Sequence, residues 1–127
     1  MKKITIFFAL IITIAIMATS LFILRGYQMT KKGELLLKEL KDKNYQKAYY
    51  NLFYYSYRDK TPFNQFKEYI KKNHLDSIKK VEWNSWSIKN SYGELEGEVQ
   101  ILHHKKSIKI EFINPKDWSI LNITLSK

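Results

Sequence analysis

The sequence contains no cysteine, and only two prolines and four glycines among 127 residues. The absence of cysteine excludes disulfides, thiolate metal sites, cysteine nucleophiles and an N-terminal lipid carried on cysteine. A folded part must be held by packing alone, and cysteine usage gives no sign of an oxidising or reducing compartment. Scarce Gly and Pro alongside 45% hydrophobic residues exclude a disordered tail as the bulk of the chain. Acidic residues are also few, with 12 Asp and Glu against 22 Lys and Arg and a formal net charge of +10. No Gly-rich phosphate loop, Ser-centred nucleophile elbow or pair of carboxylates at catalytic spacing is found, so the common hydrolase and nucleotide-binding motifs are missing.

What is present begins with an uncharged run from Ile4 to Leu24, preceded by Lys2 and Lys3 and ended by Arg25 and Gly26. At about 1.5 Å per residue, a helix over this run spans the ~30 Å hydrocarbon core of a bilayer. A cleavable signal peptide has a shorter apolar region. Ala18, Thr19 and Ser20 offer a small-residue site, but cutting there would strand Leu21 to Leu24 as an apolar stub. The run is therefore expected to be an uncleaved transmembrane anchor. The short Lys2-Lys3 start favours a cytoplasmic N-terminus and an extracytoplasmic domain, although Arg25, Lys31 and Lys32 nearly balance it. The expected product is a single-pass protein of the cytoplasmic membrane, with the anchor over 1–25, a short linker over 26–29 and one domain over 30–127.

Within that domain the first half has helical periodicity. Thr30 is expected to cap a helix carrying Leu36, Leu37 and Leu40 to about Lys43. Asn44 is expected to cap a second, on which Tyr45, Ala48, Tyr49, Leu52 and Phe53 share a face. Tyr54, Tyr55 and Tyr57 extend this helix, Arg58 to Lys60 form a solvated turn, and Thr61-Pro62 open a third helix through Phe63, Phe66, Tyr69 and Ile70. The period then changes to two. Strands are expected over Val81–Ile88, over Leu95–Ile101 after an Asn90–Gly93 turn, over Ile108–Phe112 after a His103–Lys106 turn, and over Trp118–Leu125 after an Asn114–Asp117 turn. Short turns make these four an antiparallel meander, and the fold class is α+β with about three helices on one sheet face.

The segment Leu40–Leu52 with Lys43, Asn44, Tyr45, Ala48 and Tyr49, then Thr61, Phe66 and Ile70, and finally Val81, Trp83, Ser85, Ser87, Ile88, Asn90, Gly93, Leu95, Gly97 and Val99, resembles the NTF2-like (cystatin-like cone) domains of small bacterial membrane-anchored proteins. The resemblance implies a cone between helices and sheet, open or filled. Members of this fold serve as enzymes, ligand carriers and assembly subunits alike.

Enzymes of that fold carry an Asp or His with tyrosines inside the cone. The strand positions assigned inward here are Leu95, Val99, Ile101, Ile108, Ile110 and Phe112, none able to move a proton. His74, Asp59 and Asp76 fall in helix ends and loops. His103 and His104 are adjacent at a turn and would point to opposite faces, a poor metal pair with no third ligand at supporting spacing. No catalytic residue, metal or cofactor is expected. Trp83 and Trp86, three apart, would face opposite ways in a regular strand, leaving one exposed for a pocket or a partner.

Charge is uneven: thirteen basic residues face six acids over 30–80, while six balance six over 81–127. The basic half adjoins the anchor, so Lys31, Lys32, Lys38 and Lys41 are expected near lipid headgroups, where each gains about 1 kcal/mol. Lysines spread around helices rather than gathered in a stripe argue against nucleic acid. The leading expectation is a non-enzymatic, membrane-tethered interaction module that assists assembly or stability of a membrane or envelope complex. The alternative is an extracytoplasmic binding protein holding an apolar small molecule or lipid in the cone, walled by Tyr49, Phe53, Trp83 and Trp86.

Overall fold

The computed structural model describes the backbone of residues 2–126; Met1, Lys127 and the side chain of Lys2 lie outside the described residues. The chain runs α1 (Lys2–Lys41), α2 (Tyr45–Leu52), α3 (Tyr55–Lys60), α4 (Phe63–Lys72), then β1 (Ile78–Lys89), β2 (Tyr92–Ile101), β3 (His104–Ile113) and β4 (Ser119–Leu125). The fold is α+β: a long, apolar N-terminal helix, three short helices and an open four-stranded antiparallel sheet in the order β1-β2-β3-β4.

The expected linker over 26–29 is not a break. Helix α1 passes through it without interruption, and Thr30, expected to be a cap, instead bonds back with its hydroxyl to the Gly26 carbonyl at 3.0 Å. The physical reason is lateral support: Gly26 and Met29 are buried by the sheet, so the helix is stabilised by packing at the very point where its sequence pattern changes. Helix α1 is long and apolar enough to cross a membrane, and its most apolar stretch is not covered by the rest of the chain. Its last four turns belong to the core. Met29, Leu36 and Leu40 are wholly buried, each contributing on the order of 1.5–3 kcal/mol.

The sheet closes over that half of α1. Leu95, Val99, Ile101, Ile108, Ile110 and Phe112 all point inward and are at most 3% exposed. Their layer is completed by Ile120 and Ile123 of β4 and by Phe66 and Ile70 of α4. Strand β1 departs from the expected alternation. Trp83 lies opposite Gly97 and Trp86 opposite Leu95, with a register shift between Trp83 and Ser85 that leaves Asn84 as an extra residue. This bulge resets the period, so both tryptophans face α1 rather than opposite sides.

Further boundaries differ, among them the starts of β1 at Ile78, β2 at Tyr92 and β4 at Ser119, with Trp118 left in the turn. Helix α2 stops at Leu52 because Phe53 turns extended and bridges Ile120 on the β4 edge, where Tyr54 N–H donates to the Ile120 carbonyl at 2.7 Å. Arg58 to Lys60 are therefore helical, within α3, rather than a turn. Pro62 caps α4 instead of opening it, and β3 starts at His104, which shortens the His103–Lys106 turn.

Candidate functional site

The apolar run ends at Arg25, and there two turns of the sheet close on α1. An ideal Cβ at Gly26 would lie 2.5 Å from Cε2 and Cζ2 of Trp86, so the indole occupies the space that any other side chain would need. A glycine inside a helix costs about 1 kcal/mol relative to alanine, and this close approach accounts for its presence. The same indole sits 4.8 Å, centroid to centroid, from the ring of Phe22 inside the apolar run. Gly93 repeats the device on β2, where a Cβ would meet Sδ of Met29 at 2.5 Å and the ring of Trp118 at 3.0 Å.

Trp118 fastens the other turn. Its indole N–H donates to the Arg25 carbonyl at 2.9 Å, and its side chain is 1% exposed. The turn itself is wound tightly. Asp117 and Trp118 N–H groups both donate to the Asn114 carbonyl at 3.2 and 2.7 Å, and Asn114 N–H donates to the Ser91 carbonyl of the β1–β2 turn at 3.0 Å. Asn114 and Trp118 hold left-handed φ values of 65° and 39°. For tryptophan that conformation is rare and costs on the order of 1–3 kcal/mol, so it persists only where burial and hydrogen bonding over-determine it.

Between α1 and this turn lies a groove of about 330 Å³. Tyr27, Gln28, Lys31, Lys32 and Leu35 form its helical wall as one stripe, and Lys116, Asp117 and Trp118 form the opposite one. The Lys31 ammonium lies 5.3 Å from the centre of the Tyr27 ring and 3.4 Å from the Glu34 carboxylate. Glu34 first, then Tyr27, raise its pKa above the ordinary lysine value.

A second polar cluster ties the helical connections to the sheet. Asp76, 9% exposed, accepts from the Tyr45 hydroxyl at 2.6 Å and from the Lys43 ammonium at 3.0 Å. Burial alone would raise its pKa, but these two donors outweigh burial and hold the carboxyl below its ordinary value. Lys67 and Lys71 also approach the Tyr45 ring, at 5.5 and 5.8 Å. The cluster joins the α1–α2 and α4–β1 connections, where Lys43 and His74 adopt positive φ. His74, Asp59, His103 and His104 are exposed. Among the described residues, no three His, Asp or Glu side chains gather to hold a metal.

Tyr49 and Phe53 do not meet Trp83 and Trp86 on one wall. Tyr49 packs among Tyr50, Phe63 and Phe66 and donates to the Thr61 carbonyl at 2.6 Å. Phe53 stacks near Tyr57 and Phe66. The two tryptophans instead line α1, Trp83 against Gly33 and Trp86 against Gly26. Lys31 and Lys32 line the groove, whereas Lys38 and Lys41 stand beyond it near the C-terminal end of α1. Sequence reasoning missed Gly26, Tyr27, Lys116 and Trp118. The available signal was a glycine retained within a helical stretch and a tryptophan directly after a turn. Compared with protein-family models, curated proteins and solved structures, the chain matches none of them.

Proposed function

We propose that this protein is a membrane-tethered, non-enzymatic docking module that assists the assembly or stability of a membrane or envelope complex. The observation that carries the reading is the continuity of α1: one helix is both the apolar span and a wall of the domain core. A domain fused in this way keeps its height and orientation above the bilayer, which suits a fixed neighbour in the same membrane better than a diffusing ligand sought at the end of a flexible tether. In this reading the domain lies on the extracytoplasmic side of the cytoplasmic membrane, with Lys2 and Lys3 on the cytoplasmic side nearly balanced by Arg25, Lys31 and Lys32 beyond the run. The order of three short helices before a four-stranded meander supports the NTF2-like kinship of the domain.

The sheet offers a place for a partner. Of its two edge strands, β4 is covered in part by Phe53 and Tyr54, while the 12-residue β1 has no strand on its outer side among the described residues. Its lysines and the bulge at Asn84 guard that edge against indiscriminate pairing, and a specific partner can still add a strand there. The interior between helices and sheet is occupied by fully buried Leu36, Phe66, Ile110 and Phe112, which favours docking over ligand storage in the cone.

Crosslinking in native membranes, followed by mild detergent extraction and tagged pull-down with mass spectrometry, tests the reading. One or two membrane proteins recovered in near-stoichiometric amounts support it. Recovery of the protein alone, or with a bound small molecule only, overturns it.

A further inference from the structure

We infer that the groove between α1 and the β3–β4 turn is a binding site for the headgroup of an anionic phospholipid. The inference rests on the membrane-anchored reading and deepens it by naming a ligand class. Height is the first argument. Tyr27 stands three residues beyond Leu24, about 4–5 Å along the helix axis, and Leu35 about 16 Å. The headgroup layer on each face of a bilayer is roughly 5–8 Å deep, so the lower end of the groove lies within it.

The direction of the side chains is the second argument. Helical side chains lean toward the N-terminus of their helix, which for α1 is toward the bilayer. The Lys31 ammonium lies between the Tyr27 ring, 5.3 Å away and one turn below, and the Glu34 carboxylate, 3.4 Å away and one turn above. With that lean, Lys31 freed from Glu34, and Lys32 beside it, can reach toward the level of Tyr27, where lipid phosphates reside. Glu34 competes for Lys31, but both members of that pair are about half exposed, so a phosphate can displace the carboxylate at little cost.

The third argument is that the groove is built from two distant parts of the chain. Lys116 arrives from the β3–β4 turn, which Trp118 locks to the Arg25 carbonyl. Three lysines against the single acid Asp117 leave the lining cationic, and Leu35 with the Tyr27 ring supplies an apolar wall that suits a lipid better than a free anion. Lys38 and Lys41, about 21 and 25 Å beyond Leu24, stand too high on the unbroken helix to share this role.

The test is lipid retention by the full-length protein. Protein reconstituted in bilayers of phosphatidylcholine with a minor fraction of phosphatidylglycerol is released into mild detergent, and retained lipids are counted by native mass spectrometry. The wild type should keep phosphatidylglycerol enriched about threefold or more over its bilayer fraction. Lys31→Gln/Lys32→Gln/Lys116→Gln should bring that ratio to about one, and Lys38→Gln/Lys41→Gln/Lys72→Gln, which removes equal charge elsewhere, should leave it unchanged. Equal loss in both variants, or no enrichment in the wild type, overturns the inference. So does displacement of the lipid by millimolar inorganic phosphate, which would mark a soluble-anion site. Alkaline carbonate extraction of native membranes separates the two readings. A protein that is washed out fails the anchor reading, whereas one that stays without lipid enrichment fails only the groove.

Discussion

Replacing Gly26 by alanine isolates the contact that seats the sheet on α1. Elsewhere in a helix this change would stabilise by about 1 kcal/mol. Here the new methyl would lie 2.5 Å from two ring atoms of Trp86, closer than carbon atoms approach, so the ring must move off α1 and disturb its 4.8 Å contact with Phe22. Overpacking of this kind costs roughly 1–3 kcal/mol, so Gly26→Ala should destabilise the domain by a net ~1 kcal/mol. Removing the ring reverses the sign. In a Trp86→Ala background, Gly26→Ala should stabilise by close to the full helix-propensity gain of ~1 kcal/mol, giving a coupling energy of about 2 kcal/mol. The assay is urea unfolding of the full-length protein in detergent, followed by far-ultraviolet circular dichroism. With a slope of about 1–2 kcal/mol/M, the single substitution should lower the midpoint by ~0.5–1 M. If Gly26→Ala is neutral or stabilising in both backgrounds, Trp86 does not occupy the Gly26 face, and the rigid joint between span and domain is wrong.

Other expectations follow from the same geometry. Asp76 has a native pKa below its ordinary value of 3.8, so its contribution is complete above that value and is lost as pH falls through the native one. Asp76→Asn should cost about 1.5–3 kcal/mol at neutral pH and flatten the loss of stability below about pH 4, as read from thermal melts across pH; an acid limb identical to wild type would refute the cluster. The indoles of Trp118 and Trp83 should behave oppositely, because one N–H is bonded to Arg25 and the other is buried without a partner among the described residues. Trp118→Phe should lower stability by about 1 kcal/mol or more in denaturant titration. Trp83→Phe should be near neutral or stabilising in the same titration, since it removes an unpaired buried donor, and a loss as large as that of Trp118→Phe would contradict the assignment.

Much of the fold is legible from residue patterns. The inward set on β2 and β3 follows from strict alternation, and all six residues assigned inward are buried. The shared helical face of Tyr45, Ala48, Tyr49 and Leu52 is buried as its spacing implies. The misses fall where neighbours override local preference. Phe53 leaves its helix because β4 offers a carbonyl to Tyr54, and Trp86 turns inward because a bulge at Asn84 adds a residue to β1. Neither the carbonyl nor the bulge is a property of the segment that responds to it.

The sequence by itself determined the apolar run, its length, the basic bias of the adjoining helices and the alternation that buries one sheet face. These are properties of contiguous residues, and periodicity and hydropathy report them directly. Only the tertiary structure decided that the run and the domain share one helix. Residues 26–29, with a glycine and no strong capping pattern, are equally compatible with a loop until Trp86, Gly93 and Trp118 pack around them. The groove likewise depends on folding, because Lys31 and Lys116 are separated by most of the domain in sequence and meet only when the β3–β4 turn is fastened to Arg25.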